Sequence, residues 1–156
     1  MVLTMKTYCT ANAEETKDIG YRLGRCLRPG DIVGLYGELG AGKTVFVKGI
    51  ARAFGISDRD VISASFTIIT QYGTSPPLTH IDLYRVEKHE ELLEIGIVDE
   101  IGGDAVAVIE WAEKAAGYMP AHSISVRLRA MSDGSREIVI EGFDEEDRHH
   151  IQNGTP

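Results

Sequence analysis

Asp31-Ile32-Val33-Gly34-Leu35-Tyr36 runs directly into Gly37-Glu38-Leu39-Gly40-Ala41-Gly42-Lys43-Thr44, and Val45-Phe46-Val47-Lys48-Gly49-Ile50-Ala51-Arg52-Ala53-Phe54 follows before Gly55. The first run is apolar and of strand length. The last is a helix that Gly55 closes as its C′ residue. Between them stands G-x-x-x-x-G-K-[ST], the nucleotide-binding P-loop pattern. The chemistry needs this order of residues. Gly37, Gly40 and Gly42 let the backbone turn tightly and aim its N–H groups at phosphate oxygens. Lys43 reaches the β- and γ-phosphates as a point charge, and the Thr44 hydroxyl is placed to ligate Mg²⁺. The helix adds the positive end of its dipole. Strand, loop and helix in this order favour a nucleotide site over a glycine-rich turn with no ligand.

Working outward, residues 6–10 read as a short strand, and Asn12 with Glu15 could open a helix as a capping box. Ile19, Leu23, Cys26 and Leu27 then share one helical face until Arg28-Pro29-Gly30. Beyond the P-loop helix, residues 57–65 form a polar loop. Residues 66–72 and 78–86 read as two strands around Gly73-Thr74-Ser75-Pro76-Pro77, which is turn material. Residues 87–95 read as a short helix closed by Gly96. Ala105-Val106-Ala107-Val108-Ile109 is typical of a strand buried on both faces. Residues 122–130 and 136–141 flank Ser132-Asp133-Gly134-Ser135 as a hairpin. The expected fold is α/β, a P-loop NTPase-like three-layer sandwich with a mixed, partly parallel central sheet, parallel around the P-loop and antiparallel toward one side. Residues 1–142 are expected to form the single P-loop domain and 143–156 a polar, acidic tail.

The 156 residues, 43% of them hydrophobic, suffice for one domain with a real core. No apolar run approaches the roughly 18 residues of a membrane span, and the N-terminus lacks a signal-peptide pattern. Cys9 and Cys26 make no C-x-x-C pair, which fits a reducing cytoplasm. His149 and His150 read as a solvated pair in a polar tail rather than metal ligands. The net charge is −8, from 24 acidic against 16 basic residues, with no compensating Lys/Arg cluster. Such a chain should not hold nucleic acid tightly by itself, because phosphate neutralisation supplies most non-specific affinity.

Hydrolysis needs more than a P-loop: an acidic group for Mg²⁺ and one to orient the attacking water. Glu110 stands at the carboxyl end of the buried strand, where α/β sheets gather ligands. It is a catalytic candidate, against an ordinary strand-end glutamate. In Leu78-Thr79-His80-Ile81-Asp82-Leu83-Tyr84-Arg85, period 2 puts His80, Asp82 and Tyr84 on one face. That face is either solvated or one wall of the active site, and periodicity alone leaves the two level. Ser65 and Thr67 lie where many NTPases carry a loop that senses the γ-phosphate, but hydroxyls in a loop usually serve only its turns. Trp111 either walls the site, docks a partner or packs in the core. Asp99-Glu100-Ile101-Gly102 matches D-x-x-G by coincidence, and N-K-x-D is absent from the sequence, so adenine is the expected base. The start of the first helix near Asn12 and the hairpin around Gly134 are the segments that could reach around the P-loop to meet that base.

Taken together, the sequence resembles the TsaE (YjeE) family, the ATPase component of bacterial tRNA threonylcarbamoyladenosine synthesis. The resemblance rests on residues 37–44 as G-E-L-G-A-G-K-T, 63–67, 80–86 as H-I-D-L-Y-R-V, 90–99 as E-E-L-L-E-I-G-I-V-D and 109–111 as I-E-W. It covers nearly the whole chain. The family usually has S-P-T-[FY]-T where this chain has Ser63-Ala64-Ser65-Phe66-Thr67, and proline where it has Ala112. The resemblance implies a cytoplasmic, Mg²⁺-dependent ATPase, slow alone, that acts with TsaD and TsaB. That pair transfers a threonylcarbamoyl group to the adenosine next to the anticodon, so tRNA would be met only through the complex. It further implies that Glu38, Leu39, Gly40, Ala41, Gly42, Lys43 and Thr44 hold ATP with Trp111 at the edge. Thr44 and Glu110 would hold Mg²⁺, and Asp82 would help order metal and water. The alternative is a small-molecule kinase on the same fold. Against it, Arg127, Arg129 and Arg136 fall in a hairpin rather than a helical lid. A third reading is a nucleotide-binding switch without meaningful hydrolysis.

Overall fold

In a computed structural model, residues 4–61 and 68–144 are described, and they form one mixed sheet with helices on both faces. The strands are β1 (Met5–Thr10), β2 (Ile32–Tyr36), β3 (Ile69–Tyr72), β4 (Leu78–Asp82), β5 (Val106–Glu110), β6 (Ile124–Ala130) and β7 (Arg136–Glu141), in the spatial order β1-β7-β6-β2-β5-β4-β3. The helices are α1 (Ala13–Gly24), α2 (Lys43–Ala53), α3 (Glu91–Glu94) and α4 (Ile97–Glu100). The P-loop strand β2 lies at the centre, parallel to both β5 and β6, and β4 runs parallel to β5.

The antiparallel pairs lie at both ends of the sheet, where one side alone was expected. β3 returns on β4 at one end; β6, β7 and β1 alternate at the other. The β6–β7 hairpin was legible in its turn. The β1–β7 pairing joins Met5 to Glu141, a contact between distant segments that leaves no local pattern.

Alternation along the strands divides the core. Val33 and Leu35 of β2, Val106 and Val108 of β5, and Val126 and Leu128 of β6 pack under Leu23, Phe46, Val47 and Ile50 of α1 and α2. Ile32, Ile81, Ala107 and Ile109 face the other way, onto Leu92 and Ile97 of the single-turn helices α3 and α4 and onto Ala112 and Ala115 of a 3₁₀ turn. The second layer is therefore built from short turns. The helix expected over residues 87–95 is only the turn Glu91–Glu94; Gly96, at φ 79°, breaks the axis before α4 begins.

Asn12 caps α1, its side chain accepting from the Glu15 N–H at 2.9 Å. The Glu15 carboxylate takes the Ala11 N–H rather than that of Asn12, so the reciprocal half of the capping box is displaced by one residue. The helix ends at Gly24, not at residue 28, and the chain continues in turns that still bury Cys26 and Leu27. Strand β4 stops at Asp82, four residues short of the expected end. The Asp82 carboxylate accepts the Tyr84 N–H at 3.0 Å, and Val86 N–H closes onto Leu83 O, which turns the chain off the sheet. Phe143 is buried in the α1/α2 core, just past the expected domain limit. The tail beyond 144 and the Ser63–Thr67 hydroxyls lie outside the described residues.

Candidate active site

The P-loop follows β2 and closes onto α2, whose first residues are Lys43 and Thr44. Gly37, Gly40 and Gly42 have φ of 153°, 83° and 106°. Those values belong to the region that suits glycine, and a Cβ at Gly37 would stand 2.5 Å from Leu128 O. The turn thus depends on residues that no other side chain would replace without strain.

Strand parity aligns the acidic groups. His80 and Asp82 follow Leu78 on the β4 face toward α2, and Glu110 follows Val106 and Val108 on the same face of β5. Register sets Asp82 directly opposite Glu110 and His80 opposite Val108. All three polar side chains are buried. Glu110 Oε1 accepts the Thr44 hydroxyl at 2.8 Å, and its Oε2 lies 2.7 Å from His80 Nε2. One potential ligand atom from each of His80, Asp82 and Glu110 lies within 4.8 Å of the others. Burial, reinforced by the Glu110 charge, holds the Asp82 carboxyl above its ordinary value, against the opposing Tyr84 N–H and His80.

Lys43 donates to Gly37 O and, at 2.8 Å, to Glu38 O, and its ammonium stands 3.9 Å above the centre of the Trp111 ring. Burial draws its pKa below the ordinary lysine value; the carboxylates of Glu110, Glu113, Asp82 and Glu38 resist that shift. Trp111 has φ 59°, the one side-chain-bearing residue at positive φ among those described. This left-handed turn ends β5 and swings the indole back over the P-loop. Tyr84 meets the indole, ring centres 5.3 Å apart.

Lys43, Thr44, Asp82, Tyr84, Glu110 and Trp111 share a cleft of about 590 Å³ with Leu39, Gly40, Gly42, Val45, Arg85 and Arg136. Glu38 and Ala41 lie behind the loop instead, lining a second hollow with Tyr36 and Arg127. Leu39 is 74% exposed at the loop's tip. Asn12 and Gly134, with Thr16, Gly42, Val45 and Arg136, border a smaller hollow beside the loop. Asp99 lies on α4, outside the cleft lining.

The structure adds two residues to the sequence reading. Strand alternation puts His80 on the same face as Asp82 without indicating a role; it is the buried partner of Glu110. Arg136 donates to Gly40 O at 3.1 Å, a contact to backbone that no residue pattern announces. Tyr84, expected on the strand face with Asp82, lies off the strand and is 48% exposed.

The family model for "Threonylcarbamoyl adenosine biosynthesis protein TsaE" matches residues 10–138. The chain belongs to the TsaE family. TsaE of Treponema pallidum is 39% identical over 129 residues, 83% of this chain and 95% of that one. TsaE of Bacillus subtilis is also 39% identical, over 132 residues covering 84% and 82%. Both are named as tRNA threonylcarbamoyladenosine biosynthesis proteins. A crystal structure of Bacillus subtilis YdiB superimposes with a TM-score of 0.76 at 30% identity, covering 98% of this chain and 95% of that chain. The α/β fold with its seven-stranded mixed sheet is therefore the fold of a solved relative. Membership in TsaE covers every residue of the cleft.

Proposed function

We propose that this TsaE chain binds ATP with Mg²⁺ and hydrolyses it in support of the TsaD–TsaB transferase that forms threonylcarbamoyladenosine on tRNA. The observation that carries the reading is the joining of Thr44 to the buried Glu110 inside the P-loop cleft. A hydroxyl on the first turn of the P-loop helix and a carboxylate at the end of the neighbouring strand form the donor set that P-loop NTPases use for Mg²⁺. The cation would rest on Thr44 and Glu110 with Asp82 beside it, and it would neutralise phosphate charge.

The remaining work falls to the chain's own groups. The glycine-rich backbone cradles the phosphates, and Lys43 leaves its carbonyl partners to meet the β- and γ-oxygens. His80 occupies one Glu110 oxygen, which leaves the other facing Thr44. Asp82, held above its ordinary value, is the group suited to accept a hydrogen bond from the attacking water. The adenine is assigned to the hollow between Asn12 and Gly134. With a net charge of −8, tRNA would be held by the transferase.

The test is phosphate release from ATP by the chain alone and with TsaD–TsaB. Stimulation by the pair is expected. Unchanged turnover, together with no complex on a sizing column, would sink the proposal.

A further inference from the structure

Lys114 stands in the 3₁₀ turn that follows Trp111, and it reaches back across the site instead of into solvent. Its ammonium donates to Tyr84 O and to Val86 O, both at 2.8 Å. It lies 5.8 Å from the centre of the Tyr84 ring and 5.7 Å from that of Trp111. One charge thus ties the turn after β4 to the turn after β5. Each of those turns begins at an acidic site residue: Asp82 before one, Glu110 before the other.

Two lines of contact run from this point into the cleft. Through the backbone, the Tyr84 carbonyl is held by Lys114 while the Tyr84 N–H is given to Asp82 Oδ1. Through the rings, Tyr84 leans on Trp111, and Trp111 presents its face to Lys43. The indole also sits on a left-handed residue, a strained conformation that persists only where the surroundings hold it. Lys114 is a second cation beside the aromatic pair that meets Lys43, and it braces the turn that carries Tyr84. A compact ammonium with three donors suits two carbonyls and the electron-rich faces of neighbouring rings.

We infer that Lys114 is a positioning residue for the nucleotide site: it fixes the Tyr84–Trp111 pair, and through that pair sets Lys43 and Asp82. The inference rests on the ATPase reading for its effect on turnover, but not for its effect on the rings. Trp111 is the single tryptophan of the chain, so its fluorescence reports on the pair directly.

The experiment uses the full chain with Lys114→Met, which keeps the stem and removes the donors, and Lys114→Arg, which keeps a charged donor. Without nucleotide, Lys114→Met should red-shift Trp111 emission and raise acrylamide quenching about twofold, as the indole loosens. With ATP and TsaD–TsaB, its kcat should fall about tenfold while KM moves less than about threefold, the mark of a misplaced group rather than lost binding. Lys114→Arg should recover at least about half of kcat and most of the emission, because a donor returns. If Lys114→Met disturbs folding, Lys114→Leu, which likewise lacks a donor, is read in the same way. Emission and quenching identical to wild type overturn the inference whatever kcat does. Altered emission with full kcat overturns it too, since the pair would then position nothing that matters. An inactive wild type removes the ATPase reading instead, and the emission arm still decides whether Lys114 holds the rings.

Discussion

Replacing Gly49 by alanine tests how tightly α1 is pressed against α2, the helix that starts at Lys43 and Thr44. A Cβ at Gly49 would stand 2.9 Å from the Lys17 carbonyl carbon and 3.0 Å from Lys17 Cα, with the Lys17 oxygen closer still. Carbon–carbon contacts settle near 3.5–4.0 Å, so the crossing must open by at least roughly 0.5–1 Å, and by more to clear the Lys17 oxygen. The obstacle is backbone, which cannot rotate away, and Gly20 makes a similar though looser approach from the other helix. Overpacking costs about 1–3 kcal/mol, and the upper end applies where no side chain can yield. Alanine's better helix propensity returns about 1 kcal/mol. The net loss of about 2 kcal/mol should lower Tm by roughly 4–8 °C for a domain of this size. Thermal and urea unfolding followed by circular dichroism would measure it. Gly103→Ala is the matched control, because a Cβ there meets nothing within 4 Å. A Gly49→Ala chain that melts cooperatively at or above the wild-type temperature would refute the close-crossing argument.

Three further outcomes follow from the acidic site. Glu110→Gln leaves Thr44 an oxygen to donate to but removes the charge, so phosphate release at saturating ATP should fall about 100-fold or more; retention within tenfold would count against the assigned role. His80→Ala leaves Glu110 Oε2 buried without its partner and should cost about 1–3 kcal/mol in urea unfolding; an unchanged midpoint contradicts this. Burial first and Glu110 second hold the Asp82 carboxyl above its ordinary value, so the fold prefers it protonated. Wild-type stability should therefore fall as pH rises from the unfolded value of about 3.9 through the raised folded one. Asp82→Asn cannot suffer that loss, so its advantage should widen over that interval and then level off. A flat difference between about pH 4 and pH 8 would contradict the shift.

The turn of the glycine-rich loop was readable because its glycines act through local backbone, and local backbone is what a contiguous motif encodes. Glu110 was readable as a strand end because Val106–Glu110 is a run that only a doubly covered strand tolerates. Asp82 was placed on a face, but the layer covering that face was not visible. Whether it is wet or buried depends on α2 and β5, distant segments whose pairing comes from register and not from composition. His80 went unassigned for the same reason. The Lys114 and Arg136 contacts end on carbonyl oxygens, which every residue carries alike, so no residue type marks the receiving position. Sheet order beyond the hairpins was hidden because β1 and β7 meet only after the chain has closed on itself.

That closure also sets the polarity of the whole molecule. β7 runs opposite to β6, and β1 runs opposite to β7, so the start of β1 at Met5 and the end of β7 at Glu141 come side by side. Both lie at the pole away from the carboxyl ends of β2, β4 and β5, where the P-loop cleft opens. A linker attached before β1 or after β7 would leave from the base of the sheet. A surface-tethered chain would then present its cleft outward to solution, whichever of the two ends carried the tether.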